Sequence, residues 1–79
     1  MARRRVRLSF SPALVTEPVI HELGQRFPVV TNIRRADVTA DQGWVVLELN
    51  GELDEIDRGL AWCEQRGVRV DPVEGELAT

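Results

Sequence analysis

The chain has 79 residues, 43% of them apolar and 29% charged, and carries a net charge of −3. One domain of that size buries about 60% of the surface its unfolded chain exposes, which leaves a thin core and little material for a deep catalytic cleft. The composition is too apolar for a disordered tail, no apolar run approaches the roughly 20 residues of a membrane span, and a single cysteine, Cys63, excludes an internal disulfide and a cysteine-rich metal site.

All ten basic residues are arginine, and three of them, Arg3, Arg4 and Arg5, stand together at the N-terminus. This opening has the charge of a signal peptide, but the apolar positions that follow alternate with polar ones and Pro12 interrupts them, so there is no apolar core to such a signal. A cytoplasmic chain without membrane insertion is expected. Residues 1–5 read as a basic tip. The rest of the chain sets seven arginines against thirteen acids, which disfavours nucleic acid as a partner.

Val6, Leu8 and Phe10 alternate with Arg5, Arg7 and Ser9, the period of a strand with one buried face, and Ser11-Pro12 ends it. Thr16 is placed to cap a helix whose first turn holds Glu17 and Pro18. Val19, Ile20, Leu23 and Phe27 recur at helical spacing until Pro28 stops the run. Residues 29–40 form a second strand. Asp41-Gln42-Gly43 is the turn, with Gly43 free to supply a positive φ. In the third strand, residues 44–50, Val45, Leu47 and Leu49 point one way and Trp44, Val46 and Glu48 the other.

Leu53, Ile56, Leu60 and Cys63 make one stripe on a second helix. Asp54, Glu55 and Asp57 sit near its start, where acids complement the helix dipole, and Gly67 suits its exit. Val68, Val70 and Val73 make a last strand, with Pro72 near its end. The order β-α-β-β-α-β predicts an α+β, ferredoxin-like sandwich. Its antiparallel sheet has strand order 4-1-3-2, and both helices lie on one face. Residues 1–79 form a single domain with a core at 6–73 and a flexible tail at 74–79. The other sheet face, with Trp44 and Val46, is expected to be open and partly apolar, and therefore to seek a partner.

Chemistry is tested mainly by absence. The loop before the first helix has no Cys-x-x-Cys for a metal and no arginine for a phosphate cradle. The central strands carry Phe10 and Trp44 but not the basic and glycine pattern of an RNA-binding sheet. His21, the only histidine, falls off the core stripe and has no second catalytic group near it. Cys63 lies on the buried stripe, as an inert thiol does. Nothing assembles a nucleophile, base and oxyanion donors, so the expectation is a domain that is not an enzyme and carries no cofactor. Trp62 either covers the core edge under the stem of Arg58 or Arg66 or meets a partner.

The oddity is Thr31-Asn32-Ile33-Arg34-Arg35. Asparagine is unfavourable within a strand. Its amide either binds the main-chain groups of an amino acid or satisfies a bulge or strand end.

Taken together, the VRLSF opening, the PVIHELGQRFPV helix and the Asn32-Ile33 pair followed by Ala36 and Val38 resemble the NIL domain. So do the LELNG strand end and the Ile56, Leu60, Trp62 helix running into Gly67-Val68 and Val70. NIL domains are ferredoxin-like, ACT-like regulatory modules. They occur at the C-terminus of methionine-importer ATPase subunits, fused to ferredoxins, and as free-standing chains. With no Walker glycine loop and no Cys-x-x-Cys run, this chain is expected to be a free-standing copy or a domain excised from a longer protein.

The resemblance implies a homodimer that binds methionine or a related amino acid through Asn32, Ile33 and Arg34. Arg34 replaces the family's usual aliphatic residue. It either changes the ligand toward a carboxylate or phosphate or, with Arg35, keeps an edge strand soluble. The alternative function is a docking module without a small ligand. It would use Trp44, Val46 or Trp62 to meet a transporter or ferredoxin-type protein.

Overall fold

A computed structural model describes residues 1–73, so the expected tail at 74–79 lies outside the described residues. The elements follow the predicted order: β1 (Ala2–Phe10), α1 (Val19–Arg26), β2 (Val30–Val38), β3 (Gly43–Gly51), α2 (Leu53–Gln65) and β4 (Arg69–Pro72). The sheet runs β2-β3-β1-β4 with every neighbouring pair antiparallel. This is the 4-1-3-2 order of the ferredoxin-like sandwich.

Alternation along the strands decides what is buried. Register places Val6 opposite Leu47 and Leu8 opposite Val45, so their side chains share the helix-facing side. Leu8, Leu47 and Leu49 meet Val19 and Leu23 of α1 and Ile56 and Cys63 of α2 in one core, and all of these are essentially inaccessible. Each such leucine contributes about 1.5–3 kcal/mol by leaving water, so a few side chains carry much of the stability of a domain this small.

Local expectations are corrected in three places. Thr16 does not cap α1: the helix begins at Val19 after Pro18, without a side-chain cap. A residue before proline is pushed out of the α region, so Glu17 cannot be helical. Residues 11–17 instead wind into a turn in which the Leu14 and Val15 N–H groups both donate to the Ser11 carbonyl at 3.0 Å.

The β2–β3 turn is closed by Thr39, whose N–H and hydroxyl both donate to the Gln42 carbonyl, at 2.8 and 3.0 Å. Gly43 has no positive φ there. What it supplies is space, because a Cβ would stand 3.2 Å from Val38. Arg3, Arg4 and Arg5 are not a tip ahead of the fold, since they pair with Asn50, Leu49 and Glu48 as part of β1. Gly67 does end α2 in the left-handed region, with φ 97°.

The two helices cross at Gly59, where an added Cβ would come within 2.8 Å of the buried Leu23 Cδ1. Gly24 on α1 has open space around it. The two helical glycines therefore respond oppositely to substitution. Gly24→Ala should stabilise the domain by about 0.5–1 kcal/mol through helix propensity and backbone entropy. Gly59→Val should cost about 1–3 kcal/mol by overpacking. Urea denaturation of the two variants beside the parent checks both signs.

Candidate functional site: the β2 edge and the two faces of the sheet

Strand β2 is an edge strand. It pairs with β3 in a register that slips between Ile33 and Arg35, leaving Arg34 as the extra residue of a β-bulge. Asn32 pairs with the outward-facing Glu48 and Ile33 with the inward-facing Leu47. The Asn32 amide and the Ile33 side chain therefore lie on opposite faces of the sheet. All three residues of the predicted ligand set are exposed, Ile33 at 54%. The structure brings Asn32, Ile33 and Arg34 together along one edge but not into one pocket.

On the helix-facing side, Ile33, Ala36 and Val38 form one wall of a groove completed by Phe10, Val15 and Ile20. Its volume is about 280 Å³, near the lower bound of roughly 300 Å³ for small-molecule sites. Pro18, Glu17 and His21 edge the groove at the start of α1. Sequence periodicity does not show it, because part of its far wall, at Val15, comes from the non-helical turn before α1. A larger hollow of about 460 Å³ under α2 is crossed by the Arg4–Asp57 ion pair at 2.7 Å. That contact ties β1 to α2 and reads as structural.

The outer face is not the open apolar surface expected of it. Val46 is only 8% exposed, although no helix covers it. Arg7 and Arg35 both stand opposite Val46. Their guanidinium carbons lie 4.6 and 5.9 Å from the Trp44 ring centroid. The arginine stems cover the apolar centre of the face and the heads stack on the indole. Trp44 is half-buried and Val46 is largely removed from reach as an interface residue.

Trp62 is half-buried against Phe27, with centroids 6.2 Å apart. It is flanked by Arg66 at 5.2 Å and Arg26 at 5.4 Å. The covering arginines are thus Arg66 and Arg26, while Arg58 turns to Glu55 at 3.3 Å.

Beside Val46, Glu48 receives the Arg5 Nε–H at 2.9 Å, and Arg3 lies 3.9 Å away. The Arg5 hydrogen bond holds the Glu48 carboxyl below its ordinary value. Desolvation partly opposes the shift, and the Asn50 hydrogen bond and the charges of Arg3 and Arg5 assist it. Burial raises the Cys63 thiol to about 11, so it stays protonated at neutral pH. Among the described residues no group of three or more metal-ligating side chains forms, and His21 is exposed.

The model of the NIL domain matches residues 4–72, most of the chain. The chain belongs to the NIL domain family. No curated protein sequence matches it. Among solved structures, this NIL domain is similar to the C-terminal domain of an ABC transporter ATP-binding protein from Enterococcus faecalis, with a TM-score of 0.78 and 20% identity. The match covers 91% of this chain and 84% of that one. At that identity the likeness bears on the fold, and it agrees with the β2-β3-β1-β4 sheet described above.

Because the Glu48 pKa is lowered on folding, its stabilising effect is complete above the ordinary glutamate value of 4.5. It is lost as pH falls through the folded value. Glu48→Gln should therefore shift the urea midpoint downward at pH 7 and have little effect at pH 2. An equal effect at both pH values would mean that the ion pair contributes nothing.

Proposed function

We propose that this NIL domain is a non-enzymatic regulatory module that binds a small amino acid, with L-methionine the first candidate. In this reading it works as a homodimer joined along β2. The observation that carries the reading is the exposed nine-residue edge strand beside an apolar groove. An uncovered edge offers backbone donors and acceptors to a second strand. Two-fold pairing of identical edges is the simplest way to satisfy them. The groove suits the side chain of an aliphatic or thioether amino acid. Arg34 supplies a guanidinium for the ligand carboxylate at the edge, and the Asn32 amide, on the face opposite the groove, can bond main-chain groups of the second copy.

The resemblance places NIL domains on transporter ATPase subunits, and the structural neighbour is the C-terminal domain of an ABC transporter ATP-binding protein. A transporter-linked, cytoplasmic setting is the natural one. Among the described residues no helix is long and apolar enough to cross a membrane. The docking alternative, with a transporter or ferredoxin-type partner held through Trp44 or Trp62, finds less support. Both rings are already stacked against arginines.

Calorimetry with L-methionine and sedimentation equilibrium test the reading together. Saturable binding and a dimer are expected, with about 2.7 kcal/mol of added stability at a hundredfold excess of ligand over Kd. Asn32→Ala should weaken the dimer, and methionine binding with it, while the fold stays intact. Ile33→Asp, at an exposed groove wall, should yield a folded monomer that does not bind. A monomer with no response to methionine or other amino acids would overturn the proposal.

A further inference from the structure

On the outer face of the sheet the side chains stand in rungs across the strands. Register puts Arg35, Val46, Arg7 and Asp71 on one rung and Asp37, Trp44, Ser9 and Arg69 on the next. Arg35 and Arg7 rise from β2 and β1, on either side of β3 and about 10 Å apart at ordinary strand spacing. Their guanidinium carbons lie 4.6 and 5.9 Å from the centroid of the one Trp44 ring, and both arginines line a single hollow with it. Both arginines are exposed.

Among the described residues neither has a carboxylate within 4.0 Å. The nearby acids are mostly engaged: Glu48 with Arg5 at 2.9 Å and Asp71 with Arg69 at 3.0 Å. Asp37 shares the Trp44 rung and makes no ion pair there. Two like charges lining one hollow repel each other. The stack on the indole offsets part of that cost, and a bound anion would remove the rest.

We infer that Arg7 and Arg35, which line one hollow with Trp44, form a binding site for the phosphoryl group of a small phosphate ester. Charge selects the ligand. Two guanidiniums match the −1.5 to −2 of a phosphate monoester near neutral pH better than the single charge of a carboxylate. Their planar forks suit its oxygens. The hollow they share with Ser9, Val46 and the Arg69–Asp71 ion pair measures about 740 Å³, enough for the organic part of the ester. A long polyanion fits less well, because the rest of this net-acidic chain would repel it beyond the patch. The site lies on the opposite face of the sheet from the Ile33 groove, so it stands or falls independently of amino acid binding.

Titration of the full chain with phenyl phosphate, followed by proton–nitrogen NMR at constant ionic strength, tests the inference without altering the protein. Expected are saturable shifts of the Trp44 indole N–H and of the Arg7 and Arg35 Nε–H signals, with the Trp62 indole unmoved. Inorganic phosphate should compete and acetate should not. Arg7→Gln and Arg35→Gln should each weaken binding by about tenfold or more, since each removes charge-assisted hydrogen bonds. Arg26→Gln, which removes an equivalent stack from Trp62, should leave it unchanged.

Shifts that rise linearly without saturation, or that persist unchanged in Arg35→Gln, would overturn the inference. The two arginines would then serve only to cover Val46. Tighter binding of a single-stranded oligonucleotide than of phenyl phosphate would overturn the assignment to a small ester.

Discussion

Two helices have to roof four strands, and one of them is too short for the task. An eight-residue helix such as α1 is about 12 Å long, while a nine-residue strand such as β2 runs for about 30 Å. The longer α2 packs against β1, β3 and β4 and does not reach β2. The core therefore closes over β1 and β3, where Leu8, Leu47 and Leu49 are fully buried, and thins out toward β2. Ile33 and Val38 face the helical layer yet remain more than half exposed. The groove beside them is the space that a longer first helix would have filled. The exposure of Ile33 and Val38 thus follows from where Pro18 lets α1 begin and Pro28 makes it end.

The other face of the sheet has no second layer, and arginine takes its place. Stems from β1 and β2 lie over Val46, and their heads find either a carboxylate or an indole. The arrangement keeps an apolar sheet centre away from water without presenting an apolar patch. It also gives meaning to the clustering of arginines near the N-terminus. Along a strand, Arg3, Arg5 and Arg7 fall on one side and Arg4 on the other. One alternation thus arms the outer face while Arg4 is sent to Asp57 on α2.

Period-two and period-3.6 patterns made the elements, their order and the core stripe legible in the sequence. Val6 and Leu8, Val45 to Leu49, and Ile56, Leu60 and Cys63 are where alternation and helical spacing put them. What escaped was whatever depends on neighbours distant in the chain. Val46 looked exposed because its covering arginines belong to other strands. The groove was invisible because a turn supplies part of one wall.

A glycine in a turn suggests backbone freedom, but the constraint at Gly43 is the approach of Val38 across the hairpin. Asn32, an awkward residue for a strand, stands two places from the bulge. Which residue bulges depends on the pairing with β3, and that cannot be read from β2 alone. Nor did the pattern reveal that Asn32 and Ile33, adjacent in sequence, serve different faces.

The bulge at Arg34 also limits how far sheets of this kind can grow. A flat nine-residue edge could template one copy after another. Here the slipped register divides the edge into two short stretches, 30–33 and 35–38, set at an angle by the added twist. The opposite edge, β4, has only four residues and ends on a proline that cannot donate a hydrogen bond. A second copy joined to β2 would leave only β4 edges outermost, and there extension has little to build on. The β2 bulge and the short β4 edge together leave fibrous assembly little to build on.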